Sequence, residues 1–392
     1  MSKRKNSSKV RVHFRKNRGE KTRQTDLTRD FHRETFREDD TIREERISGK
    51  GALIRQRTVR MEDAALAVGE DCRCGQVVRV HGLNTLVEDV ESGQYFRCAT
   101  RRLLKTLATE ERHVVVAGDL VQFRPAGSLP EEESLGKQPD FAGMEHLPEG
   151  MIERVEPRYG CLCRTSRKRQ HILVSNVDQL LIVTSLFQPG VKWNLIDRMI
   201  IMAEKMEIEP VICLNKVDLG DPLPWVPTLG VYARMGYAIH LVSAVTGFGI
   251  ERLRQRLQQK GVRSVVAGQS GVGKSSILNA VEPGLDLKTS HVSEMNEKGR
   301  HTTTTAQLIK LSEGGYVADT PGIRQFELWD IIQEEVPGYF REIAPLVSLC
   351  RFPDCTHIHE EGCAVREAVS LGQVDARRYE SYCQIWDSCT SA

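Results

Sequence analysis

A chain of 392 residues with 40% hydrophobic and 28% charged side chains is long enough for two or three domains and has the composition of a soluble protein. No uncharged apolar run reaches the length of a membrane span, and the basic N-terminus lacks an apolar h-region, so neither a spanning helix nor a secretory signal is expected. The net charge is +2, but residues 1–60 hold 19 Lys/Arg against 9 Asp/Glu, which leaves a net −8 on the remainder.

Residues 1–68 read as a basic arm. Large apolar residues are few and no period is sustained, so a disordered segment is expected, with short helices allowed over 25–47. Electrostatic docking on an RNA backbone and a plain solvated tail both fit this composition. Residues 69–165 read as all-β: alternation over 76–80, a turn at His81-Gly82-Leu83-Asn84, further runs over 85–90, 95–98 and 114–123, and a closing strand over 150–155. Short strands punctuated by glycine predict a small barrel of OB type, an architecture that often binds single-stranded nucleic acid. The Pro-, Glu- and Gly-rich stretch within 126–148 is expected to be an exposed loop. The basic cluster at 164–169 reads either as a binding patch or as a solvated linker.

Over 166–330 the period changes. Leu180-Leu181-Ile182-Val183-Thr184 and Pro210-Val211-Ile212-Cys213-Leu214 are continuous apolar runs, as for strands buried on both faces. Between them Asn194 is expected to cap a helix that lines up Leu195, Ile196, Met199, Ile200, Ala203 and Met206. A third strand over 238–242, a helix over 250–260, and strands over 263–267, 305–311 and 316–319 complete an alternating α/β pattern, which predicts a mostly parallel sheet covered on both faces.

Gly268-Gln269-Ser270-Gly271-Val272-Gly273-Lys274-Ser275 fits the phosphate-loop pattern without mismatch, between a strand and a helix opened by Ser276. Glycines let backbone N–H groups turn inward around phosphate, Lys274 can reach the β- and γ-phosphates, and the Ser275 hydroxyl can ligate Mg²⁺. Asn215-Lys216-Val217-Asp218 ends the second strand and Ser243-Ala244 the third, on the same rim. The Asp218 carboxylate can accept two hydrogen bonds from guanine, whereas adenine would leave it unpaired. The Lys216 stem can cover the base, and a backbone N–H near Ser243-Ala244 can meet guanine O6. Asp319-Thr320-Pro321-Gly322 supplies a carboxylate for Mg²⁺ through water and an N–H for the γ-phosphate. In Gly299-Arg300-His301-Thr302-Thr303-Thr304-Thr305, Thr303, or else Thr304, closes the Mg²⁺ shell. Base-reading motifs thus precede phosphate motifs, the order of a circularly permuted GTPase domain.

Residues 331–392 read as a mainly helical zinc domain. Cys350, Cys355, His357 and Cys363 match a closed Zn²⁺ set; His357 makes the tighter clip, with His359 as the alternative. So short a domain is expected to need its metal to fold. Cys72/Cys74 and Cys161/Cys163 read as incidental.

The permuted order of these motifs, flanked by a barrel and a Cys-x₄-Cys-x-His-x₅-Cys cluster, resembles the RsgA (YjeQ) family of small ribosomal subunit biogenesis GTPases over residues 70–392. The resemblance implies an OB-fold, a permuted P-loop GTPase domain and a zinc domain, with GTP/GDP, Mg²⁺ and one Zn²⁺. It implies GTP hydrolysis stimulated by the small subunit late in its maturation, and it supports His357 as the metal ligand. Partners implied are that subunit and its rRNA, with no membrane and no DNA, for a cytoplasmic monomer. The family lacks the usual water-positioning Gln, and here the position is Ile323. His301 resembles the family's substitute for orienting water, beside Lys274 in the catalytic set; contact with RNA or packing within the loop is the other reading of His301. The arm and the 126–148 insert go beyond the usual pattern. A nucleotide-gated RNA-binding factor with little hydrolysis is the competing function, and an ATP-dependent enzyme is disfavoured by Asp218.

Overall fold

The computed structural model describes residues 8–14, 55–61, 71–82, 84–100, 114–126, 138–139, 143–166, 169–285, 287, 306–319 and 331–389. The first described elements fall in the basic arm, where no strand was expected: β1 (Ser8–Phe14) and β2 (Arg55–Met61) pair antiparallel, Ser8 opposite Met61 and Phe14 opposite Arg55. The short helices allowed over 25–47 lie outside the described residues.

A barrel follows. β3 (Arg73–His81), β4 (Asn84–Asp89), β5 (Tyr95–Thr100), β6 (Leu120–Pro125) and β7 (Glu149–Val155) run in the order β3-β4-β5-β7-β6, and β6 pairs back onto β3 to close the ring. Closure gives Val77, Val87, Phe96, Cys98, Val121, Phe123 and Ile152 one shared interior. Only alternate positions reach it, which is why the strands read as alternating. The basic cluster at 164–169 belongs to a hairpin of β8 (Leu162–Ser166) and β9 (Arg169–Val174), so the anticipated boundary at 165/166 falls inside one supersecondary unit.

The α/β part comprises β10 (Gln179–Ser185), α1 (Trp193–Lys205), β11 (Glu209–Asn215), α2 (Val226–Arg234), β12 (Ala238–Leu241), α3 (Ile250–Leu257), β13 (Arg263–Ala267), α4 (Lys274–Val281), β14 (Gln307–Lys310) and β15 (Tyr316–Asp319). Strand order is β12-β11-β10-β13-β15-β14, parallel except for β14. Along β10, Leu180 and Ile182 join the core under α1, while Leu181 and Val183 join the core under α3 and α4. Burial on both faces explains the unbroken apolar runs. The sheet does not end at β14: Gln307 pairs with Arg79 of β3, so barrel and α/β sheet form one hydrogen-bonded network. Among the described residues, no helix is long and apolar enough to cross a membrane.

Asn194 does not cap α1. The helix starts at Trp193 with Lys192 at the cap position, and the Asn194 side-chain amide donates to Gln384. That contact belongs to the docking of the C-terminal part on α1. This part holds a 3₁₀ segment (Gln333–Tyr339), α5 (Ala344–Val347), α6 (Ala364–Ser370) and α7 (Ala376–Cys389). Its first half is helical only in two short pieces, since Pro337 and Pro345 would deny a continuous helix its backbone donors. Val336, Phe340, Ile343, Val365, Tyr382 and Ile385 form its core together with Ile201 from α1.

A buried ion cluster completes the junction. Arg378 on α7, with no exposed side-chain surface, donates to Asp197 of α1 at 2.6 Å and to both oxygens of Glu342 at 2.6 and 3.1 Å. The Tyr232 hydroxyl of α2 donates to the same Asp197 at 2.6 Å, and Arg377 lies over the rings of Trp193 and Tyr232.

Candidate functional site

Four loops meet at the carboxyl ends of β10, β11, β12 and β13. The loop after β13 is held tightly against its neighbours. Gly268 has φ +147, and a Cβ there would stand 2.0 Å from the carbonyl oxygen of Val183; at Gly273, φ +92, a Cβ would stand 2.4 Å from Asn215 Nδ2. Only glycine allows both the turn and this approach. Gly273 is also the cap residue of α4, so the loop's N–H groups and the positive end of the helix face the same space.

Lys274 opens α4, and its ammonium donates to the carbonyls of Gly268 and Gln269 at 2.9 and 2.7 Å. It therefore arches over the loop toward the expected phosphate position. Ser270 and Gly271 are exposed, Val272 is buried, and Gln269, Ser275 and Ser276 are half-buried. No hydrogen bond ties the Ser275 hydroxyl to a described residue, leaving it available as a ligand.

Asn215 is engaged within the protein. Buried, it donates from Nδ2 to Val272 O at 2.8 Å and accepts from Ala244 N–H at 3.2 Å. It ties the phosphate loop to the base loop, and the Ala244 amide is thereby engaged within the protein. Ser243 is also an internal support: its hydroxyl accepts from Thr246 N–H at 3.1 Å. Lys216, in the left-handed region at φ 62, turns back so that its ammonium bridges the carbonyls of Gly271 and Gln188, both at 2.7 Å. Its alkyl stem is thus fixed across the rim. Asp218, in a 3₁₀ turn (Val217–Leu219), is exposed, and no hydrogen bond holds its carboxylate to a described residue.

No motif marked the loop after β10. The Ser185 hydroxyl accepts from the N–H groups of Phe187 and Gln188, a turn that delivers the Gln188 carbonyl to Lys216. Phe187 packs on Gly220, where a Cβ would stand 2.6 Å from the ring. Serine turns are common enough that the type alone carries no functional signal. Asp319 ends β15 beside the phosphate-loop strand, in register through Ala318 opposite Val265. His301, Thr303 and Gly322 lie outside the described residues.

A Cys/His cluster in the C-terminal part is the candidate metal site. Cys350, Cys355, His357 and Cys363 bring their ligand atoms within 4.8 Å of one another. His357 Nδ1 is 3.3 Å from Cys350 Sγ and 3.5 Å from Cys363 Sγ, and those two sulfurs are 3.9 Å apart. Ligands 2.0–2.3 Å from a tetrahedral zinc stand about 3.5 Å (N to S) and about 3.8 Å (S to S) apart, so the set has the dimensions of a zinc cage. The left-handed φ of 61 at His357 aims its ring inward. His359 is 78% exposed and stands near Glu360, which excludes it from the cage.

Burial, reinforced by the neighbouring thiols, pushes Cys355 up to about 12, and burial also lowers His357. One buried and two half-buried sulfurs thus converge with an imidazole, a donor set that binds a cation through thiolates. The loop is fastened from α7: Tyr379 OH donates to His357 O and Tyr382 OH to Thr356 O, each at 2.7 Å. Glu360 braces it from within, accepting from Thr356 and from the amides of Ile358 and His359. These bonds outweigh burial and hold its carboxyl below the usual carboxylate range. Cys72/Cys74 and Cys161/Cys163 form no such cluster among the described residues.

Residues 155–329 match the family described as RsgA GTPase. The chain is 39% identical to "Small ribosomal subunit biogenesis GTPase RsgA" of Thermotoga petrophila, over 80% of this chain and 96% of that one. Among solved structures it is similar to YjeQ from Thermotoga maritima, at 37% identity and TM-score 0.64, covering 82% of this chain and 99% of that chain. It is also similar to YloQ, a circularly permuted GTPase, at 27% identity and TM-score 0.62, covering 83% and 98%.

Proposed function

The chain belongs to the RsgA GTPase family, and from that premise we propose that it hydrolyses GTP to GDP and phosphate while engaged with the small ribosomal subunit, late in that subunit's maturation in the cytoplasm. The observation that carries this reading is the joint held by Asn215, which locks the phosphate loop and the base loop into one cradle beside the unengaged carboxylate of Asp218.

Each residue's task follows from its surroundings. The phosphate-loop amides and the start of α4 receive the β-phosphate, and Lys274 exchanges its two loop carbonyls for phosphate oxygens. Asp218 accepts from guanine N1–H and N2–H₂ while the Lys216 stem covers one face of the base. Bound Mg²⁺ would neutralise charge building on the β- and γ-oxygens, with Ser275, Thr303 and, through water, Asp319 as its holders. With Ile323 where a water-positioning Gln usually stands, His301 orients the attacking water, and Gly322 N–H meets the γ-phosphate. Cys350, Cys355, His357 and Cys363 hold one Zn²⁺ that fixes the C-terminal loop.

Binding to rRNA falls to the barrel, the basic arm and the C-terminal domain. The excess of ten positive charges over residues 1–60 of the arm, on an otherwise acidic chain, supports a phosphate-directed contact. The chain acts as a monomer. The deciding experiment is GTP hydrolysis by the purified chain, alone and with small ribosomal subunits, beside an ATP control. GTP-specific stimulation by the subunit is expected. Tight GTP binding with no stimulated turnover would instead favour a nucleotide-gated RNA-binding factor.

A further inference from the structure

Among the described residues between β6 and β7, none belongs to the nucleotide cradle or the metal cage, yet Gln138 reaches the α/β sheet. Gln138 Nε2 donates to Leu308 O at 2.9 Å, and Lys310 N–H donates to Gln138 Oε1 at 3.2 Å. Leu308 and Lys310 are two positions apart on β14, so these are the groups a neighbouring strand would engage. The strand on that side is β3, but β3 pairs with β14 only at Gln307. The primary amide of Gln138 thus stands in for a peptide and continues the ladder where β3 leaves off.

A second barrel residue grips the same hairpin. Glu88 on β4 is 3% exposed; its carboxylate accepts from the Lys310 ammonium on β14 and from the Tyr316 hydroxyl on β15 at 3.1 Å. Barrel contacts therefore reach both strands of the β14–β15 hairpin. That hairpin ends at Asp319, and its other neighbour is β13, the strand that feeds the phosphate loop.

We infer that Gln138 is a positioning residue for GTP hydrolysis: together with Glu88 it holds the β14–β15 hairpin in the register that brings Asp319 to the nucleotide. The inference rests on the GTPase reading and gives the insert a task. Strands of four residues hold their place weakly by themselves. Displacement of a catalytic group by about 1 Å can cost about 100-fold in rate.

The test uses the full chain with Gln138→Ala and, separately, Lys310→Met, whose side chain is 40% exposed and so is unlike a core deletion. Intrinsic and subunit-stimulated turnover are measured with GTP KM and GDP affinity. Both variants should lower kcat about tenfold in each state while KM and GDP affinity stay unchanged. An unchanged kcat, with only the melting temperature lowered, would overturn the inference and leave Gln138 a structural staple. Wild-type protein that hydrolyses GTP without stimulation would count against the ribosomal reading alone, because the intrinsic kcat comparison still decides the role of Gln138.

Discussion

Asp218 and Asn215 come from one four-residue motif and do opposite things. Asn215 spends both ends of its amide inside the protein, while the exposed Asp218 carboxylate bonds to no described residue. Asp218→Asn should therefore leave the fold intact and exchange base preference: an amide can donate to the 2-oxo group of xanthine but cannot accept both guanine donors. GDP affinity should fall by at least about 100-fold, about 2.7 kcal/mol, with xanthosine diphosphate binding improved, as titration of the two nucleotides would show. Retained guanine preference would sink the base-site assignment. At the candidate metal site, Cys363→Ser should abolish stoichiometric zinc in metal analysis and lower the melting temperature, since the three remaining donors no longer close a tetrahedron. Full zinc retention in that variant would speak against the cage.

Among the elements, α4 carries the phosphate loop and is fixed at both ends. At the start Asn215 donates to the carbonyl of Val272, just before the helix, and at the other end Arg254 of α3 donates to the carbonyls of Ala280 and Val281 at 2.9 and 2.7 Å. These are terminal carbonyls that the helix itself leaves unpaired. Arg254→Ala should cost about 1–2 kcal/mol in urea unfolding, while guanine-over-adenine preference is kept. The phenols that knit elements together set an alkaline limit. Burial, helped by nearby carboxylates, raises Tyr232, Tyr237 and Tyr316 well above the ordinary value of 10. Folding keeps these groups protonated where the unfolded chain would ionise. Their contribution is complete below about pH 10 and is lost as pH rises beyond it. Melting temperatures that stay level to pH 9.5 and fall above pH 10 would agree; a level profile to pH 11 would not.

Over the whole molecule, the C-terminal part is bound to the α/β part by more than its covalent link. It takes Ile201 into its own core, and Arg378 lies between Asp197 of α1 and Glu342 with no exposed surface. Removing one member of a buried ion cluster leaves the others uncompensated, so Arg378→Met should cost about 3–5 kcal/mol. Wild-type protein should unfold these two parts in one transition and the variant in two, resolved by calorimetry. A single transition in both would show that the ion cluster does not couple them. Through the shared core, α1 supports this short domain beside the metal it is expected to need.

Motifs with local chemistry were legible directly. Gly268 to Ser275 predicted a strand-to-helix turn because only glycine permits those angles, and the Cys/His spacing predicted the cage because ligands close in sequence must close in space. Apolar runs marked the buried strands, and alternation marked the barrel, because burial on two faces or one leaves a different pattern in the chain. What the sequence could not state was every contact between residues far apart along it. Gln138 meets Leu308, Arg378 meets Asp197 and Gln188 meets Lys216 through ordinary polar side chains whose partners depend on how the sheet, barrel and C-terminal helices are brought together. Local pattern encodes which face of an element is buried. Only the packed tertiary structure decides which polar group on another element answers it.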